Sequence, residues 1–211
     1  MIDIIKDKRF IAILRNVPLE KVEKATKALY DGGIRLFEVT YNPSKDDTIE
    51  TVAKSFEIIK KLGDDISLCA GTVVKPEFVY AAKEAGAKCI VSPHTSEKII
   101  KLTKELGLYS IPGAYTPSEI MNAYEWGADL VKIFPILPGN IDYLKTVISP
   151  LSHIPFITTG GVRLDNARDF LNCGATAVAA GATLLTPSCM ENDDWEGITE
   201  NARKFTELCK R

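Results

Sequence analysis

The chain of 211 residues suits one generous domain or two minimal ones, and its 45% hydrophobic and 26% charged content is that of an ordinary folded protein. Against 28 Asp and Glu stand 26 Lys and Arg, a formal charge of −2 that argues against nucleic-acid binding through a general basic surface. No apolar run reaches the roughly 20 residues that span a bilayer. The amino end, Met1-Ile2-Asp3-Ile4-Ile5-Lys6-Asp7-Lys8, carries acids where a signal peptide needs an unbroken apolar stretch, so a cytoplasmic chain with no membrane partner is expected.

From the amino end, the pattern predicts a strand over Phe10–Leu14 and a helix over Leu19–Asp31. A recurring unit follows, in which an amphipathic stretch closes on glycine and a short apolar run succeeds it. Gly33 leads into Ile34–Val39, Gly63 into Ile66–Ala70, Gly86 into Cys89–Ser92, Gly107 into Leu108–Ile111, Gly127 into Leu130–Phe134 and Gly174 into Thr176–Ala180. Each glycine suits the left-handed position that stops a helix, and each run is short enough for a strand buried on both faces of a parallel sheet. Pro155–Thr159 is the remaining strand. Further helices are predicted over Ile49–Lys61, Pro76–Glu84, Ser96–Glu105, Pro117–Trp126, Ile141–Ile148, Leu164–Asn172 and the tail from Asp194 to Lys210. Strict alternation allows an open doubly wound sheet or a closed barrel, and eight units in this length favour a (β/α)8 TIM barrel as one domain, 1–211.

The five cysteines (69, 89, 173, 189, 209) include no Cys-x-x-Cys pair and read as small hydrophobes plus a surface thiol or two, which fits the cytoplasm. Histidines 94 and 153 lie far apart with no neighbouring cysteine, so no zinc site is expected, and His94 reads as a loop or helix-start residue.

In a barrel the reactive groups stand where strands end. Lys132, in Leu130-Val131-Lys132-Ile133-Phe134, is set among residues that favour burial, and burial drives a lysine toward its neutral, nucleophilic amine. The competing reading is an ammonium that reaches water or pairs with Asp129 or another acid. Glu38, in Leu36-Phe37-Glu38-Val39-Thr40, has a similar setting, and strand alternation can aim both side chains into one mouth. A structural ion pair between them competes with a nucleophile beside an acid/base, the pair that imine chemistry needs. Thr159-Gly160-Gly161, with Asn166 following and Gly181 on the next loop, suits an anion held by backbone N–H groups and a helix start; a tight turn is the plainer account. Arg15 and Thr72 could hold a carboxylate, although a salt bridge closing the barrel end explains Arg15 nearly as well.

Phe37-Glu38-Val39-Thr40, Ala70-Gly71-Thr72-Val73, Val91-Ser92-Pro93, Pro112–Glu119, Val131-Lys132-Ile133-Phe134-Pro135 and Thr159-Gly160-Gly161-Val162 together resemble the 2-keto-3-deoxy-6-phosphogluconate / 4-hydroxy-2-oxoglutarate aldolase family, from about Phe10 to Pro187. The resemblance implies a class I aldolase without metal or cofactor, on a (β/α)8 barrel, as a homotrimer acting on a phosphorylated keto-acid. It implies Lys132 as the Schiff-base lysine and Glu38 as the general acid/base. Arg15 and Thr72 would hold the carboxylate, Pro93 and Phe134 would wall the pocket, and Thr159, Gly160, Gly161 and Gly181 would meet the phosphate end. Two positions depart from the phosphogluconate pattern. Asn42 stands where that branch carries an arginine and is similar to the phosphogalactonate branch. Ala182 replaces a serine, leaving Thr183 as the substitute hydroxyl. A phosphate-binding isomerase or synthase without a covalent lysine, and a non-catalytic metabolite-binding barrel, are the rival readings.

Overall fold

The structure, a computed structural model, describes residues 1–136 and 140–210. Strands β1 (Phe10–Leu14), β2 (Leu36–Thr40), β3 (Ser67–Gly71), β4 (Cys89–Val91), β5 (Tyr109–Ile111), β6 (Gly113–Ala114), β7 (Val131–Ile133), β8 (Phe156–Thr159) and β9 (Ala177–Ala180) form one parallel sheet in the order β5-β4-β3-β2-β1-β9-β8-β7-β6. Only Pro112 separates the two ends of that order. Proline has no N–H to offer a ladder, so regular pairing breaks there, yet the Pro112 carbonyl accepts from Lys132 N at 2.9 Å while Ile111 O accepts from Ser92 N at 3.2 Å. β5 and β6 are therefore one barrel strand, and eight strands close on themselves as expected.

Both faces of the sheet are buried because the strands are predominantly apolar, with Glu38 and Lys132 the charged exceptions. Inward-facing Ile11, Ile13, Leu36, Cys69, Cys89, Val91, Ile111, Leu130, Ile157, Ala177 and Ala179 fill the barrel, and the alternate residues pack under the helices. The helical ring is α1 (Ile2–Lys8), α2 (Leu19–Asp31), α3 (Thr48–Lys60), α4 (Pro76–Ala85), α5 (Glu97–Glu105), α6 (Pro117–Glu125), α7 (Ile141–Ile148), α8 (Ala167–Asn172), α9 (Pro187–Glu191) and α10 (Trp195–Cys209). Their starts follow local chemistry. Ser96 accepts from Ile99 N, Thr116 and Glu119 form a reciprocal capping box ahead of α6, and Asp194 accepts from Gly197 N at the head of α10. None of the described helices is long and apolar enough to cross a membrane.

Several features differ from the sequence reading, the short α9 among them. α1 was not expected; it closes the amino-terminal end of the barrel by inserting Ile5, fully buried, into the interior cluster. Gly33, Gly86, Gly107, Gly127 and Gly174 take positive φ, whereas Gly63 does not: a Cβ there would lie 2.8 Å from the Tyr30 hydroxyl, so space rather than chain reversal accounts for it. α8 begins at Ala167 rather than at Leu164, because Arg163 to Asn166 are taken up in a side-chain-bonded turn. Finally, Cys69 and Cys89 are joined in a disulfide rather than acting as independent small hydrophobes. They are register partners on β3 and β4, both facing inward with Cα atoms 4.7 Å apart, a proximity that their 20-residue spacing does not reveal. The pairing removes the support that unpaired cysteines lent to a cytoplasmic location.

Candidate active site

Lys132 lies midway along β7 and is 3% exposed; Glu38, on β2 across the barrel, is 1% exposed. Both alternate with interior residues, Lys132 after Leu130 and Glu38 after Leu36, so each projects into the carboxyl-terminal mouth. Room for the Glu38 carboxyl comes from β3, where Gly71 is the register neighbour of Thr40: a Cβ at Gly71 would overlap Glu38 Oε1. Neither oxygen of Glu38 has a hydrogen-bonding partner among the described residues.

The alternatives for Lys132 can be weighed directly. Asp129 is engaged elsewhere, accepting from Lys104 Nζ at 2.7 and 2.6 Å and from Ser110 N at 2.8 Å. Among the described residues no ion pair joins Lys132 to Glu38. The Lys132 amine instead sits 4.7 Å from the centre of the Phe134 ring. Burial lowers its pKa below the ordinary 10.5, opposed by the charge of Glu38 and assisted by that of Arg15. Burial likewise raises Glu38 above 4.5, against the attraction of Lys132 and Arg15. Desolvation disfavours the charged form of each group, which biases Lys132 toward the nucleophilic free amine and Glu38 toward the proton-donating acid.

A cavity of about 600 Å³ is lined by Arg15, Thr72, Pro93, Phe134, Thr159, Gly160, Gly161, Gly181 and Ala182, with Asn16, Val17 and Thr183 among the others; Lys132 and Glu38 are not in its lining, and Phe134, whose ring lies beside the Lys132 amine, connects the two. Nine of the site residues singled out from the sequence thus meet around one mouth. Arg15, free of any carboxylate among the described residues, reaches over it so that Nη2 donates to Thr72 Oγ1 at 3.4 Å. That rules out the barrel-closing salt bridge and leaves a guanidinium beside a hydroxyl. Thr159 Oγ1 is buried and has no hydrogen-bonding partner among the described residues.

Asn42 lies apart from this set. It lines an adjoining cavity of about 470 Å³ between α2 and α3, and its Nδ2 donates to Asn16 Oδ1 at 3.3 Å. Asn16 borders both cavities with a φ of 54°, a left-handed conformation that asparagine tolerates, and the sequence reading passed over it. The helix expected to open directly after Gly161 is also displaced. α8 starts at Ala167 and has six residues, so an anion at the glycines would meet loop N–H groups and not a helix end. Thr183 differs too: its hydroxyl donates to Val162 O at 2.7 Å and does not stand free in place of the missing serine.

The comparisons with known proteins agree with one another. A family model described as KDPG and KHG aldolase matches residues 1–201. The KHG/KDPG aldolase of Escherichia coli K12 is 32% identical over 193 residues, covering 91% of this chain and 88% of the relative. The 2-dehydro-3-deoxy-phosphogluconate aldolase of Dickeya dadantii is 31% identical over 187 residues, covering 88% and 85%. A solved structure described as native KDPGal superposes with a TM-score of 0.82 at 28% identity, covering 94% of this chain and 93% of its own.

Proposed function

Because the chain belongs to the KDPG and KHG aldolase family and is an aldolase-type carbon–carbon lyase, we propose that Lys132 is its Schiff-base nucleophile and Glu38 its general acid/base. The activity is cleavage of a 2-keto-3-deoxy-phospho-sugar acid through a covalent imine. The observation that carries the assignment is the burial of Lys132 with no ion pair among the described residues, which shifts it toward the free, nucleophilic amine.

The amine attacks the C2 ketone of the substrate, and Glu38 gives and takes the protons that carbinolamine formation and loss of water require. The resulting iminium accepts the electron pair of the C3–C4 bond, so that bond breaks as Glu38 takes the proton of the C4 hydroxyl, and the C4–C6 fragment leaves as an aldehyde, glyceraldehyde 3-phosphate for a six-carbon 6-phospho acid. The enamine left on Lys132 is protonated at C3 and hydrolysed to pyruvate, freeing the amine. Arg15 and Thr72 hold the carboxylate next to the ketone, and Phe134 and Pro93 wall the chamber. The loops carrying Gly160, Gly161, Gly181 and Ala182 take the phosphate end. Asn42, outside the cavity, touches it only through its bond to Asn16, and through that contact it would bear on the choice between gluconate- and galactonate-type acids. The working unit in this reading is one barrel domain assembled as a homotrimer. Its location is cytoplasmic, since a phosphorylated acid is costly to move across a bilayer.

Incubation with pyruvate and borohydride followed by peptide mass mapping tests the assignment. A reduced pyruvyl adduct on Lys132 is expected, together with pyruvate release from the phosphorylated acids. An unmodified Lys132 would refute the covalent role.

A further inference from the structure

The mouth of the barrel contains a bonded arrangement whose effect is to turn carbonyl oxygens aside. After β8 the chain runs Gly160, Gly161, Val162, Arg163, with φ of 93° and 60° at the two glycines. Every carbonyl from Gly161 to Arg163 is engaged. Gly161 O accepts from Asn166 Nδ2 at 2.9 Å, Val162 O from Thr183 Oγ1 at 2.7 Å, and Arg163 O from the backbone of Asn166 and Ala167 at 3.2 and 2.9 Å. Asn166 grips the turn from both sides, because its Oδ1 also accepts from Arg163 N at 2.8 Å. On the next loop Gly181 O accepts from Leu184 N and Leu185 N at 2.9 and 2.8 Å. The N–H groups of Gly161, Val162, Ala182 and Thr183, by contrast, donate to no acceptor among the described residues.

A loop that shows unengaged N–H groups while its carbonyls are held by other donors is electrostatically suited to an anion. We infer that Asn166 and Thr183 are the positioning residues of the phosphate end of the active site, clamping the carbonyls of Gly161 and Val162 so that the backbone donors of both loops converge on one anion. Neither side chain needs to touch the phosphate. Thr183 links the loop after β9 to the loop after β8, so its hydroxyl sets the spacing between two halves of one cradle. Ala182, in this account, contributes its N–H and needs no hydroxyl. The inference rests on the phosphate-end assignment made above and adds the residues that shape it.

The test uses the full-length protein with Thr183→Val, Thr183→Ser and Asn166→Ala. Turnover of the phosphorylated keto-acid is compared with that of 4-hydroxy-2-oxoglutarate, which has no phosphate, and inorganic phosphate serves as a competitive inhibitor. In Thr183→Val and Asn166→Ala, KM for the phosphorylated acid and Ki for phosphate should rise together by about tenfold, the equivalent of about 1.4 kcal/mol. Their kcat values should change far less, and Thr183→Ser, which keeps the hydroxyl, should restore both constants. A purely structural defect would instead lower kcat for both substrates alike. If wild-type protein is inhibited by phosphate but the variants match it, or if KM for the unphosphorylated acid rises equally, the positioning role is overturned. If phosphate fails to inhibit even the wild-type protein, the phosphate-end assignment falls, and this inference with it.

Discussion

Replacing Glu38 by methionine should abolish turnover and make the protein more stable. Both carboxyl oxygens are buried and lack a partner among the described residues, and the residue is 1% exposed. An unsatisfied buried polar group costs about 1–3 kcal/mol, and methionine fills a similar volume with no such demand. A gain of about 1–3 kcal/mol is therefore expected near neutral pH, at about 2–4 °C of melting temperature per kcal/mol for a chain of this size. The pH dependence provides a stricter check. The folded-state pKa of Glu38 is raised above 4.5, so from 4.5 up to that raised value the folded chain keeps a proton that the unfolded chain has lost. Stability of the wild-type protein declines with rising pH through that window. The variant lacks this titration, so its advantage should be smallest near pH 4.5 and widen as pH increases. Thermal melts of both proteins across the window, with pyruvate release as the activity readout, decide the matter. A variant that melts below wild type near pH 7, or an advantage that shrinks with pH, would mean that Glu38 gains a stabilising charge partnership, and the neutral-acid account would be wrong.

Gly71→Ala should reduce cleavage at least about a hundredfold, as loss of a positioned acid/base does, because the added methyl claims the space of Glu38 Oε1. Near wild-type turnover in this variant would show that the carboxyl has freedom that the packing denies it. The rate of pyruvate trapping on Lys132 should climb with pH and reach half its plateau below the ordinary lysine value of 10.5, since desolvation favours the free amine; a midpoint at or above 10.5 would contradict a buried neutral lysine.

The architecture could be read from the chain because its signals are local. A glycine in left-handed conformation ends a helix within its own turn, and an apolar run such as Phe10–Leu14 is buried on both faces wherever its neighbours lie. Lys132 and Glu38 stood out for the same reason: each is an ionisable residue in a strand that otherwise wants no water. α1 escaped because a seven-residue helix with one buried side chain, Ile5, carries too little periodicity to register.

What lay beyond the sequence is whatever depends on closure of the sheet. That Arg15 would meet Thr72, that Gly71 would make way for a carboxyl from β2, and that Thr183 would hold a carbonyl 21 residues away are relations between strand ends. The pairing of Cys69 with Cys89 depends in the same way on the register of β3 against β4. The linear chain determined which residues would be buried and which of them were chemically out of place there, since burial preference is a property of each side chain in its own segment. Only the closed barrel decided which of those groups share a cavity, because the distance between strand ends is set by tilt and register around the whole ring.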